Sequence, residues 1–173
     1  MHLPSGTCQP HQCYALPVPD CTCWETYRRK EVSCNHLELE NVPGILTNQH
    51  TAFIDTLQFS YNNIKSILST DLVNVRVRKL DFSHNELEQV EHSVFKNTAD
   101  NLEWLDLSHN NLNDFLYNWP DDSSLETLNL NSNHITDLKL LLDSLPETIK
   151  HLHLAHNPLK PFDLADKSTR LIN

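Results

Sequence analysis

His151-Leu-His153-Leu-Ala-His156 places three imidazoles within six residues. On an extended chain, residues two apart share a face. His151 and His153 therefore project together with His156 just beyond them, a spacing suited to a metal ion or to proton sensing near neutral pH. A structural zinc ion takes four ligands, commonly with cysteine or carboxylate help. The only side chains placed to complete this set are Asn129 and Asn131, which are poor zinc ligands, so no metal is assigned. The second chemistry-bearing group is Cys8, Cys13, Cys21, Cys23 and Cys34, all in the first fifth of the chain. Their closest pair is Cys21-Thr-Cys23, not the C-x-x-C of a metal site, and Pro10, Pro17 and Pro19 lie among them. This density at one end reads as a disulfide-stapled cap, which implies an oxidising compartment.

Other chemistry is sparse. The chain has no Walker-type glycine loop, no G-x-S-x-G and no H-E-x-x-H, and its two glycines are Gly6 and Gly44. No cofactor is expected, and an enzyme is not the expectation. A net charge of −10 over 173 residues argues against an electrostatic grip on nucleic acid or on an anionic membrane. No apolar run reaches the ~18 residues of a membrane span. Met1-His-Leu-Pro-Ser-Gly6 lacks the apolar centre of a secretory signal. Together with the cysteines, this gives the expectation of a secreted chain whose signal has been removed.

The elements that must position these residues are repeats. Leu102-Glu-Trp-Leu105-Asp-Leu107-Ser-His-Asn110-Asn-Leu112 has apolar residues at fixed offsets around one asparagine. Copies run from Ile54 to Ile64, Val77 to Leu87, Leu125 to Ile135 and Ile149 to Leu159. Their asparagines, Asn62, Asn85, Asn110, Asn133 and Asn157, are 23, 25, 23 and 24 residues apart. Each L-x-L pair sends two apolar side chains inward from a short strand. One such unit cannot bury its own apolar face, so neighbours must stack. The asparagine side chain both donates and accepts, which suits it to backbone groups left open where the strand turns. A buried asparagine ladder is therefore predicted. Val94 and Phe95 are expected to wedge between coils on the far side. Leu138, Leu140, Leu141, Leu142 and Leu145 predict an apolar segment with a helical turn or two before Pro146. Alternation through His36, Leu37, Glu38, Leu39 and Glu40 predicts a half-buried strand.

The 20–29-residue period and the order Cys, C-x-C, Cys, Leu-x-x-Val-Pro resemble extracellular leucine-rich-repeat proteins, a group that includes the small proteoglycans and Toll-like receptors. Cys13, Cys21, Cys23, Cys34, Leu39, Val42 and Pro43 occupy the cap positions. The resemblance covers about residues 13–160 and implies an α/β leucine-rich-repeat solenoid. Such a solenoid is curved, with a parallel sheet inside, irregular or short helical segments outside, and an N-terminal disulfide cap. Residues 1–43 form the irregular start and cap, 44–160 the five repeats, and 161–173 a short lid. The family's pairing implies Cys13 with Cys23 and Cys21 with Cys34, although the sequence leaves open that Cys8 replaces Cys13. Cys8 is otherwise an unpaired or intermolecular thiol. Asn157-Pro-Leu-Lys-Pro-Phe162 resembles the entry to the family's C-terminal cap, but no cysteine follows. Three readings stay open there. Phe162, Leu164, Leu171 and Ile172 form a lid, a partner or second copy covers the last coil, or the chain stops short of its natural end.

Function is expected on the concave face. Its middle row is read as Glu38, Gln58, Asp81, Asp106, Asn129 and His153, and the row before it as His36, Thr56, Lys79, Trp104, Thr127 and His151. Tyr61, His84, His109, Ser132 and His156 follow just beyond the strands. Trp104 is the one large aromatic in these rows, flanked by Asp81, Asp106 and His109, and aromatics are enriched among binding hot spots. The expected contacts are Trp104, Asp81, Asp106, His109, His84, Lys79, Asn129, His151 and His153, engaging a protein partner. The alternative is a structural or matrix role, in which the chain self-associates as a homodimer through its last coil or through Cys8.

Overall fold

A computed structural model describes residues 21–25, 29–43, 52–73 and 75–161. In chain order these form β1 (Thr22–Glu25), β2 (Lys30–Ser33), β3 (Ala52–Gln58), β4 (Ser66–Ile67), β5 (Val75–Asp81), β6 (Gln89–Val90), β7 (Trp104–Asp106), β8 (Thr127–Asn129), helix α1 (Leu138–Asp143) and β9 (His151–His153). Seven strands make one sheet in the order β1-β2-β3-β5-β7-β8-β9, and β4 pairs with β6 on the far side. β1 and β2 are antiparallel, and every later pairing in the large sheet is parallel. This is a leucine-rich-repeat solenoid, in which each coil adds one strand to a common inner sheet.

The L-x-L pairs build the core in layers. Leu57, Leu80, Leu105 and Leu128 share one register across the sheet and are fully buried. Phe59, Phe82, Leu107 and Leu130 form the second layer, with the Phe59 and Phe82 rings stacked at 5.0 Å. Each fully buried leucine contributes roughly 1.5–3 kcal/mol relative to exposure. At the last coil the equivalent Leu152, Leu154 and Leu159 are only half-buried. Val94 and Phe95 are buried on the convex side as expected. Phe95 stacks on Trp119 at 5.5 Å, with Tyr117 tilted against both. The predicted helical segment is α1, where Asp137 caps the start by accepting from Leu140 N at 2.9 Å. Of its leucines only Leu141 is buried, and Leu140 is exposed.

The asparagine ladder forms. Asn110 shows its logic: Nδ2 donates to Phe82 O in the preceding coil at 2.9 Å and to Leu107 O in its own at 3.0 Å. Its Oδ1 accepts from Leu87 N at 2.9 Å. Asn62, Asn85, Asn133 and Asn157 repeat the pattern, each reaching back one coil. The four inner rungs are buried, and Asn157 is half-buried at the end of the stack.

The cap departs from expectation in register. Residues 36–40 are not a strand: they turn, with His36 and Glu38 at φ 58° and 54°. Instead β2 carries the strand, pairing Glu31, Val32 and Ser33 with Thr56, Leu57 and Gln58. Val32 and Cys34 thus take the places of Leu57 and Phe59, an offset of 25 residues. Leu37 and Leu39 N–H groups both donate to Asn62 Oδ1. The alternating pattern of 36–40 arises because Leu37 and Leu39 follow the turn into the coil, not because the segment is extended. Cys21 is bonded to Cys34, with Cα atoms 4.4 Å apart. Cys23 is also disulfide-bonded. Cys13, Cys8 and the proposed lid side chains Phe162, Leu164, Leu171 and Ile172 lie outside the described residues.

Candidate functional site

The parallel register aligns two rows of side chains on the solvent side of the large sheet. The first row is Trp24, Glu31, Thr56, Lys79, Trp104, Thr127 and His151. The second is Thr22, Ser33, Gln58, Asp81, Asp106, Asn129 and His153. His36 and Glu38, expected to open these rows, are replaced there by Glu31 and Ser33, because the register of the cap strand lies five residues earlier than the alternation indicated. Trp24 is a residue that sequence reasoning missed. Its signal was the 25-residue offset that matches Val32-x-Cys34 to Leu57-x-Phe59, together with a preceding strand antiparallel to β2.

The rows differ in how much the fold uses them. In the second, Asp81 Oδ1 accepts from Ser83 N at 2.8 Å and Asn129 Oδ1 from Asn131 N at 3.1 Å. Asp106 is buried: its Oδ1 accepts from Ser108 N and its Oδ2 from Asn129 Nδ2, at 2.8 and 2.7 Å. These side chains brace the end of each strand before the turn. Asp106 is thus a structural group, not the open contact that was expected. In the first row no side-chain hydrogen bond or ion pair forms among the described residues. Trp24 is 43% exposed, Lys79 and His151 are exposed, and Trp104 is half-buried between Lys79 and Thr127. Trp104 is therefore less open than its position suggested, since the close strand spacing lets its neighbours cover the indole.

Beyond the strands lies a feature that residue types alone did not reveal. His36, Tyr61, His84, His109, Ser132 and His156 occur once per coil, each at a positive φ between 53° and 59°. Only glycine, and less readily asparagine or aspartate, adopts this region without steric cost. The side chains here stack instead. Ring centroids are 4.5 Å apart from His36 to Tyr61, 4.2 Å from Tyr61 to His84 and 4.1 Å from His84 to His109, with planes within 13°. The 25, 23 and 25-residue spacings were visible in sequence, but the left-handed backbone that turns these rings face to face was not.

Electrostatics tie this stack to the second row. Burial pushes the Asp81 carboxyl up from its ordinary value, and the neighbouring Asp106 adds to the rise, while the hydrogen bond from Ser83 opposes it. Burial, then the adjacent His109, holds the His84 imidazole below its ordinary value, while Asp106 and Asp81 pull the other way. His151 and His153 are exposed in separate rows with His156 exposed in the turn. Among the described residues no three His, Cys, Asp or Glu side chains group as a metal site.

Residues 75–135 match the family "Leucine rich repeat" and residues 124–147 a second "Leucine Rich Repeat" family. Osteomodulin of Bos taurus is 31% identical over 109 residues, covering 61% of this chain and 24% of its own length. Leucine-rich repeat-containing protein 3 of Danio rerio is 33% identical over 100 residues, covering 57% of this chain and 36% of its own. Mimecan of Gallus gallus is 29% identical over 136 residues, covering 77% of this chain and 43% of its own. The chain thus spans less than half the length of these curated relatives.

Proposed function

We propose that this chain, a leucine-rich-repeat protein, is a secreted, non-enzymatic recognition module that binds a protein partner through its concave face. The observation that carries this reading is the first concave row. Trp24, Glu31, Thr56, Lys79, Trp104, Thr127 and His151 are aligned across the whole sheet, and none of their side chains hydrogen-bonds within the described fold. Two tryptophans in a row that the scaffold does not require suit a binding hot spot. The Cys21–Cys34 bond supports an oxidising, extracellular setting.

Affinity capture from extracellular fluid tests the reading, with wild type compared against a Trp24→Ala/Lys79→Ala double variant and against Glu88→Ala on the outer side as a control. A partner retained by wild type and Glu88→Ala but lost by the double variant is the expected result. Equal recovery of every partner by all three chains would overturn the concave-face reading.

A second reading, association between copies through the last coil, draws on the half-buried Leu152, Leu154 and Leu159 at the β9 edge. Sedimentation of wild type beside a Leu154→Glu variant addresses it. A monomer at all concentrations for the wild type removes this reading.

A further inference from the structure

The ring stack stops at His109, although its backbone continues. At each rung the N–H donates to a carbonyl in the next coil: Tyr61 N to Ser83 O, His84 N to Ser108 O, His109 N to Asn131 O and Ser132 N to Ala155 O, at 3.1, 2.9, 2.9 and 2.8 Å. The φ angles at Ser132 and His156, 56° and 59°, match those of the ringed rungs. The sixth rung, His156, is therefore in register, but the fifth carries only a hydroxymethyl group. Successive rings elsewhere are 4.1–4.5 Å apart. Two steps make the spacing from the His109 rung to the His156 rung about 8–9 Å, the separation of two rings with one flat group stacked between them.

We infer that the gap over Ser132 is a binding slot for an arginine guanidinium of a partner protein, stacked between His109 and His156. A guanidinium is planar and stacks on aromatic faces, which a lysine ammonium does not. Charge favours it over a neutral aromatic ring. The chain carries −10 overall, no rung of the stack is Lys or Arg, and Asp81 and Asp106 act electrostatically on the adjoining His84. His109 and His156 are both exposed, and Ser132 is half-buried between them. The slot lies at the end of the strands, beside the concave rows, and does not depend on those rows binding anything.

The chain supplies its own control, because Tyr61 shows that a large ring is accommodated at this backbone position. Ser132→Tyr would complete the stack and close the slot. The test is a histidine-ring NMR titration of wild type, Ser132→Tyr and His156→Ser with the N-acetyl amides of arginine, lysine and phenylalanine. The arginine amide should perturb the His109 and His156 ring signals together, and its apparent affinity should fall at least about fivefold in both variants. Lysine amide binding as tightly as arginine amide would overturn the slot in favour of simple charge attraction. Tighter binding of phenylalanine amide would overturn the guanidinium assignment. Undiminished arginine binding in either variant, or no response in wild type, would overturn the proposal outright. Thermal unfolding of both variants checks that each is folded, and His156→Ser, which removes an exposed side chain, provides the comparison should Ser132→Tyr misfold.

Discussion

In every coil two successive residues share one turn, and they obey different rules. Asn62, Asn85, Asn110, Asn133 and Asn157 are the same residue five times, whereas Tyr61, His84, His109, Ser132 and His156 are of three kinds. The asparagine points into the stack, where its amide meets carbonyls of two coils and an N–H of the coil before. Few other side chains place a donor and an acceptor at that reach. Its neighbour points outward from a left-handed backbone and packs against the rungs above and below. Backbone demand therefore fixes one residue, and side-chain company selects the other.

The strongest way to break that contrast is to delete an inner asparagine. Asn110→Ala leaves the N–H of Leu87 without its acceptor in a buried turn and removes one of the two amide donors on each of the Phe82 and Leu107 carbonyls, which keep Asn85 and Asn133. The expected loss is on the order of 1–3 kcal/mol, or several degrees in Tm for a chain of this size. Asn157→Ala should cost less than half as much, because its rung is half-buried and water can replace the amide. Thermal unfolding of the two variants side by side checks the order. Equal losses would show that burial is not what gives the ladder its energy.

Outer rungs should respond more weakly. Asn tolerates φ near 53°, so His84→Asn keeps the backbone and removes only ring stacking with Tyr61 and His109. About 0.5–1.5 kcal/mol is expected for a stacked pair, at the lower end for rings this close to solvent. A β-branched His84→Val should be clearly worse, since it adds steric conflict at the same φ. Chemical denaturation midpoints ordered wild type, Asn, then Val check this. Val equal to Asn would show that the backbone relaxes out of the left-handed region.

The asymmetry also decides how much could be read without coordinates. Leu105, Leu107 and Asn110 announce their roles by spacing, because each answers to one backbone demand repeated every coil. The sheet, its parallel order and the buried asparagines followed from that. The register of the cap is hidden in the sequence because Leu37 and Leu39 alternate like strand residues while Leu37 takes the ladder position of Asn62, so the asparagine that marks the register in the other coils is missing. Trp104 and Asp106 were identified as facing the concave side, but the burial of Asp106 depends on Asn129 one strand away. The ring stack needed the sign of φ at four residues, which no residue type there would suggest.

The smallest effect, and the one that joins the two rows of the site, is the pH response of His84. The fold favours its neutral form through burial and the adjoining His109. Between the ordinary histidine value of about 6.5 and the lower folded value, the unfolded chain binds the extra proton, so stability falls as pH falls through this window. Asp81 has the opposite sign. Its carboxyl is raised in the fold, so the native state takes up a proton first and gains relative stability as pH falls toward 3.8. Urea midpoints followed from pH 7.5 to 4 should therefore carry two opposed contributions, a decline from His84 and a rise from Asp81. In His84→Asn the decline should be shallower than in wild type, and in Asp81→Asn the opposing rise should disappear and stability at neutral pH should increase slightly. The rest of the sequence is the same in all three chains, so the differences between the curves isolate these two groups. Parallel curves for wild type and His84→Asn would mean that the stacked imidazole is as well solvated as in the unfolded chain, and that the outer rungs, unlike the asparagines beside them, carry no cost of burial.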